Sequence, residues 1–282
     1  MSAGVLTVDF QSADAPSQFV ESLRTTGFGV LKNHPVPPSE IAELYGGWAA
    51  FFASDTKFDY QFDKVKQDGY FPFLTEHAKG YSVKDLKEFY HVYPWGRLPD
   101  EVGAETQSLY NKLVEIASTL LAWIQGETPE NVRAGFPTPL NEMILGSDRN
   151  LLRIIHYPPL TGEEEEGAVR AADHEDINLI TVLASGTQPG LEVKDVDGEW
   201  HEVSCDPGML VVNTGDMLQM ASDGYYPSTT HKVANPSEEL EKVSRYSMPL
   251  FLHPRDDVVL SSEHTAESYL NERLREIGLK SS

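Results

Sequence analysis

From Leu151 onward the chain is cut into short β-rich runs, each stopped by a cluster of Gly, Pro, Asn or Asp. The runs are Leu151–Tyr157, Ile177–Ala184, Leu191–Asp195, Met209–Asn213, Ser228–Ala234 and Ser244–His253. Segments this short bury little apolar surface alone and must pair laterally, which predicts a barrel or a double-sheet jelly roll. The front of the chain has a different texture. Pro16–Thr25, Pro38–Ala53 and Asp100–Gln125 carry apolar residues at helical spacing, with Leu109, Leu113, Ile116, Leu120 and Leu121 forming one stripe in the last. Gly27–Leu31 reads as a short strand, and Ala266–Ile277 as a closing helix stopped by Gly278. The expected class is mixed α and β, with a jelly-roll core flanked by helices. One domain is expected over residues 1–282: a mainly helical front (1–150), the core (151–260) and a last helix (261–282).

Charge narrows the partners. With 44 acidic and 22 basic residues the net charge is −22, which repels phosphate backbones and anionic membranes. Nucleic acid and membrane are therefore not expected, no protein partner is evident, and a small molecule is the expected ligand. The run Glu163–Glu166 reads as a solvated loop. No window approaches the ~20 apolar residues of a membrane span, and the first residues lack a basic segment followed by an apolar one. Cys205 is the only cysteine, which excludes an internal disulfide and points to the cytoplasm.

The chemistry concentrates in A171-A-D-H-E-D-I-N-L-I180. On a strand, residues two apart share a face, so His174 and Asp176 project together while Glu175 points away. A zinc-protease helix needs a histidine at 178, where Asn178 stands. A third ligand must come from elsewhere among nine histidines. His34, His77 and His91 lie in the helical front, His201 lies near a turn, and His264 precedes the last helix. His156 and His253 are expected to face away from the site. His231, in the strand-like run Ser228-T-T-H-K-V-A234, remains. Two histidines and one carboxylate on facing strands suit the facial triad that binds Fe(II) and leaves coordination positions open. The lack of thiolates argues against structural zinc. Independently, Arg245 and Ser247 share a face in Val243-S-R-Y-S-M-P-L-F-L252. A guanidinium fork matches a carboxylate, and an inward arginine is costly to bury without an anion.

Together, His174-x-Asp176, His231 and Arg245-x-Ser247 resemble the Fe(II)/2-oxoglutarate-dependent dioxygenases of the isopenicillin N synthase-like branch. The resemblance extends to Gly27-F-G-V-L-K-N-His34, Asp85-L-K-E-F-Tyr90, Ile155-H-Y-P-Pro159 and Asn213-T-G-Asp216, and so covers nearly the whole chain. It implies a double-stranded β-helix with His174, Asp176 and His231 as iron ligands. Arg245 and Ser247 would hold the distal carboxylate of 2-oxoglutarate, with a further hydrogen bond from Tyr157. The implied cofactors are Fe(II), 2-oxoglutarate and dioxygen. The implied reaction oxidises, by default hydroxylates, a small molecule and releases succinate and carbon dioxide. The stretch between His231 and Arg245 is longer than the family pattern, and Ile155 stands where many members have a polar residue. Toward the substrate, Arg153 and Ile155 share the face of Tyr157. Arg153 either pairs with an acidic substrate or forms a structural salt bridge. Phe251 either lines the pocket or packs the core, and Tyr70 belongs to a lid or a surface loop. Two other functions remain open: an iron oxidase of the isopenicillin N synthase type that needs no 2-oxoglutarate, and a non-catalytic binding protein on the same fold.

Overall fold

The computed structural model describes residues 4–63, 65–76, 83–195, 197–203 and 206–276. Its front supplies helices α1 (Ala15–Thr26), α2 (Pro38–Ala53) and α3 (Gly103–Glu127), then two single turns, α4 (Glu130–Arg133) and α5 (Leu140–Met143). It also supplies four strands: β1 (Thr7–Asp9), β2 (Phe28–Lys32), β3 (Gly69–Phe71) and β4 (Glu88–Val92). The back holds β5 (Leu151–Tyr157), β6 (Ala171–His174), β7 (Ile180–Ala184), β8 (Leu191–Lys194), β9 (Trp200–Glu202) and β10 (Leu210–Thr214). Helix α6 (Asp216–Ala221), β11 (His231–Val233), β12 (Arg245–Leu252) and α7 (Ala266–Glu276) follow. The expected end of the last helix, at Ile277 and Gly278, lies outside the described residues.

The strands form two sheets. The larger runs β1-β2-β10-β7-β12-β5-β4-β3 and the smaller β6-β11-β8-β9. All pairs are antiparallel except β1 with β2. Alternation on the large sheet sorts its two faces. Leu152, Ile154, Val182, Leu210, Met248 and Leu250 join the helical layer, where Leu109, Leu113 and Leu120 of α3 and Trp48 and Phe52 of α2 bury their stripes. Ile155 and Tyr157 instead point between the sheets, against Phe71, Phe89, Ala171 and Val233. Because both faces of the central strands are covered, those strands read as continuous apolar runs.

Helix α1 stops where it must. Gly27 takes φ 72° and its amide caps Leu23 O, and a Cβ there would stand 2.2 Å from Thr229 Oγ1. Only glycine satisfies both conditions.

The mainly helical front also supplies both edges of the large sheet, β1 and β2 on one side and β3 and β4 on the other. Two expectations are corrected. Tyr70 is in neither a lid nor a loop: it is 2% exposed on β3, and its hydroxyl donates to Glu88 Oε2 at 2.5 Å on the helical side. The run from Ile177 becomes a strand only at Ile180. Before that, carbonyls of Asp176, Asn178 and Leu179 accept the amides of Asp216, Met217 and Gly215, so the segment is tied to the start of α6, and lateral pairing begins with Leu179 N on Leu252 O at 2.9 Å. Among the described residues no helix is long and apolar enough to cross a membrane.

Candidate metal centre and its surroundings

Strands β6 and β11 pair so that His174 lies directly opposite His231, and their rings sit 4.4 Å apart, centroid to centroid. Asp176 follows two residues later, off the strand, in the segment tied to α6. Its Oδ1 lies 3.8 Å from Nε2 of each histidine, and one ligand atom from each of the three residues falls within 4.8 Å of the others.

The orientation of each group has a cause. His174 Nδ1 contacts Ala172 O at 2.8 Å and His231 Nδ1 contacts Thr229 O at 3.0 Å. A carbonyl only accepts, so both Nδ1 atoms carry the proton and both Nε2 lone pairs face the centre. Asp176 Oδ2 accepts from Thr181 Oγ1 at 2.5 Å and from Asn213 Nδ2 at 2.7 Å, which leaves Oδ1 for the centre. Asn178 Nδ2 donates to Thr181 Oγ1 and so directs that hydroxyl proton to the carboxylate. Burial pushes the Asp176 carboxyl up, but His231, His174 and the two donors outweigh it and hold it below its ordinary value. Burial, with repulsion from His231, drives His174 down to about 4. Asp176 is therefore ionised and His174 neutral near neutral pH, the forms a metal ligand needs. The roles of Thr181 and Asn213 were missed in the sequence. The available signal was polar side chains in otherwise apolar strands, which demand partners.

A cavity of about 820 Å³ opens over His174 and Asp176. Phe251 lines it, and so does His253, which corrects the expectation that His253 faces away: alternation from Arg245 through Phe251 carries it to the same side. Burial takes His253 down to about 4. Arg153 also lines the cavity, and of its two possible roles the salt bridge is present. Its Nη1 donates to Glu76 at 3.1 Å, its Nε to His91 Nε2 at 2.9 Å, and Phe89 and Phe251 cover its faces at 4.5 and 5.6 Å. Glu76 also pairs with Lys87 at 2.8 Å, and Lys87 with Asp85 at 2.8 Å. Burial alone would raise Glu76 and lower Lys87, but their partners reverse both shifts. His91 donates from Nδ1 to Gln67 O, and burial beside Arg153 keeps it neutral. Ile155 does not reach the cavity; it packs between the sheets.

Arg245 opens β12 at 2% exposure. Its Nε donates to the carbonyls of Gln188 and Pro189 at 3.0 and 3.2 Å, its Nη1 is buried without a partner, and its guanidinium lies 5.2 Å from the ring centre of Tyr157, its cross-strand neighbour on β5. A Cβ at Gly186 would stand 2.8 Å from Nη2, so glycine makes the room. Ser247, two residues on, is buried opposite Ile155. Among the described residues, Arg245 forms no ion pair with a carboxylate.

A two-sheet β core presenting two imidazoles and a carboxylate, with no thiolate, defines the class of non-haem iron proteins with a facial triad. The chain belongs to the 2OG-Fe(II) oxygenase superfamily. Residues 149–254 match that family, and residues 6–114 match the family described as the N-terminal region of non-haem dioxygenase in morphine synthesis. A crystal structure from Shewanella oneidensis, assigned as an oxygenase, is 52% identical with TM-score 0.89 and covers 99% of this chain and 100% of its own. A 2OG-Fe(II) oxygenase family structure from Caulobacter crescentus is 31% identical with TM-score 0.79, covering 98% and 100%. The 2-oxoglutarate-dependent dioxygenase 11 of Oryza sativa subsp. japonica is 30% identical over 83% of this chain and 65% of its own. The protein is thus an Fe(II)- and 2-oxoglutarate-dependent dioxygenase with the fold of that family, acting on a small molecule.

Proposed function

We propose that His174, Asp176 and His231 hold the iron, that Arg245 and Ser247 seat the distal carboxylate of 2-oxoglutarate, and that the enzyme oxidises an uncharged small molecule. The observation that carries this reading is the meeting of one ligand atom from each of two imidazoles and a carboxylate within 4.8 Å, in a chain whose buried Arg245 still has an unpartnered Nη1. Two imidazoles and a carboxylate suit Fe(II). Tyr157, packed against the Arg245 guanidinium, contributes its hydroxyl to the same carboxylate. When bound, iron with 2-oxoglutarate and dioxygen supplies an oxidant for a substrate C–H bond and releases succinate and carbon dioxide.

The protein's own part is positional. Thr181 and Asn213 aim Asp176, the carbonyls of Ala172 and Thr229 aim the histidines, and Arg245 orients the co-substrate. The nearby wall is charge-balanced, since Arg153 and Lys87 are met by Glu76 and Asp85. Neither of these two cations is left unpaired for an acid. Three of the five N–H donors of Arg153 serve His91 and Glu76, so its remaining edge suits a neutral oxygen acceptor beside Phe251. Residues 1–282 are read as one dioxygenase domain. The single cysteine supports a cytoplasmic setting, and the acidity supports the absence of a nucleic-acid partner.

The test is substrate-coupled succinate release from the Fe(II) enzyme, run over matched neutral and carboxylated small molecules. Coupling to neutral compounds is expected. Coupling to acids alone would overturn the substrate reading, and retained turnover in His174→Ala would overturn the ligand assignment.

A further inference from the structure

Arg170 stands one residue before β6 and is 1% exposed, among the largest fully buried side chains in the described residues. Its Nη2 donates to Val243 O at 3.1 Å, while its Nε is buried without a partner. Burial and then repulsion from Arg245 lower its proton affinity, and only Tyr157 opposes them. The Nη2 bond of Arg170 lands on Val243, two residues before Arg245, so two buried guanidiniums meet at the start of β12, each with a partnerless nitrogen, Nε of Arg170 and Nη1 of Arg245. Neither forms an ion pair with a carboxylate among the described residues. The chain holds 44 acidic residues, so carboxylates are not scarce.

An isolated buried cation is costly, and an adjacent second one adds mutual repulsion. Such a pair persists when an anion completes it. We propose that Arg170 is a second guanidinium of the co-substrate seat, sharing with Arg245 the distal carboxylate of a 2-oxo diacid. The inference rests on the reading that Arg245 binds that carboxylate, and it adds a residue outside the Arg-x-Ser pair. The donor geometry makes the two arginines complementary. The Nε edge of Arg245 is spent on Gln188 O and Pro189 O, which leaves Nη1. Arg170 has its Nη2 on Val243 O, which leaves Nε. A carboxylate has about four lone-pair sites and can accept from both. Arg170 is also held in place before any ligand arrives: its amide donates to Asn235 Oδ1, and Asn235 Nδ2 donates to Ala168 O at 2.8 Å. The predicted consequence is selectivity. A 2-oxo monoacid would leave two cations unmatched rather than one, so the seat discriminates for a dicarboxylate more sharply than Arg245 alone.

The test compares 2-oxoglutarate with 2-oxopentanoate, which has the same carbon chain without the distal carboxylate. Binding to wild type, Arg170→Leu and Arg170→Lys is measured by calorimetry on Mn(II)-loaded protein, with displacement for the weaker ligand. In Arg170→Leu, 2-oxoglutarate should bind at least tenfold more weakly while 2-oxopentanoate and Mn(II) keep their affinities. Arg170→Lys, which keeps charge but loses the fork, should show a smaller fall in the same ratio. If the leucine variant does not fold, the lysine variant decides by that ratio. Equal weakening of both ligands would mark Arg170 as structural, and unchanged 2-oxoglutarate affinity would remove it from the seat; either overturns the proposal. Wild type that fails to bind 2-oxoglutarate would instead strike the underlying assignment of Arg245.

Discussion

Thr181→Val probes how the carboxylate of the metal centre is aimed. The substitution is nearly isosteric and removes one hydroxyl, the donor 2.5 Å from Asp176 Oδ2. A hydrogen bond to a charged acceptor is worth about 1.5–3 kcal/mol, but most of that is present with or without metal. What metal affinity senses is orientation. With both donors in place Oδ2 is fully engaged and Oδ1 faces His174 and His231 at 3.8 Å. With Thr181 gone, Asn178 Nδ2 loses its acceptor and competes for the carboxylate, so the group can turn. Partners of this kind typically contribute about 10–100-fold in metal affinity, equivalent to roughly 1.4–2.7 kcal/mol at 1.36 kcal/mol per decade. We expect the low end for Thr181→Val, where Asn213 still holds Oδ2 at 2.7 Å, and the high end for Asn213→Ala. Because both bonds end on one oxygen, the double variant should lose more than the sum of the single changes. Anaerobic competition against a fluorescent chelator, with Fe(II) or Mn(II) near pH 7, measures all three. Folded single variants that both bind metal like wild type would refute the reasoning, as would complete metal loss in Thr181→Val alone.

Three further outcomes are expected. Arg245→Lys should weaken 2-oxoglutarate binding at least tenfold while retaining iron, because a point charge replaces a fork; parallel loss of iron in a metal-content assay would contradict that division of roles. Glu76→Gln should cost about 3–5 kcal/mol in urea unfolding, since it strips the shared partner from buried Arg153 and Lys87; a loss under 1 kcal/mol would show the cluster to be solvent-screened. His91 is held neutral well below its ordinary range, so the unfolded chain takes up its proton first as pH falls. Its contribution is complete above about pH 6.5 and declines below that at up to ~1.4 kcal/mol per pH unit. His91→Gln should therefore flatten the stability profile between pH 6.5 and 5, and an unchanged profile counts against a buried neutral imidazole.

The parts legible in the sequence share one property: their signal is local. Alternation along Arg245–Leu252 sorts Arg245, Ser247 and Phe251 from Met248 and Leu250, and the structure keeps that sorting. The same count carried two residues further would have placed His253 in the cavity. His174 and Asp176 converge as expected, but for another reason, because Asp176 lies beyond β6 and is aimed by its ties to α6, β7 and β10. Edges of the large sheet were hidden because β1 and β3 have three residues each, too few to show a period, and their pairing is decided by distant partners. Tyr70 sits in such a strand, so its burial against Glu88 had no local sign. Arg170 gave none either: an arginine in a loop reads as solvated until its neighbours are known.

The distribution of these groups over the two sheets has a consequence for stability. His174 and His231 belong to the small sheet, while Asp176 is gripped by Thr181 on β7 and Asn213 on β10 of the large one. A metal held by all three joins the sheets at one end. Arg245, Ser247 and Tyr157 lie on β12 and β5 of the large sheet, so a co-substrate reaching from the metal to Arg245 makes a second connection between them. Each ligand binds the folded state alone, since the unfolded chain has no preformed site, and so each adds RT ln(1 + [L]/Kd) to stability, about 2.7 kcal/mol at a hundredfold excess over Kd. Loading should then be sequential. Metal completes the point from which the co-substrate spans, and 2-oxoglutarate without metal should stabilise only through the guanidinium end. The two-sheet architecture makes the order of binding a property of the fold as well as of the iron.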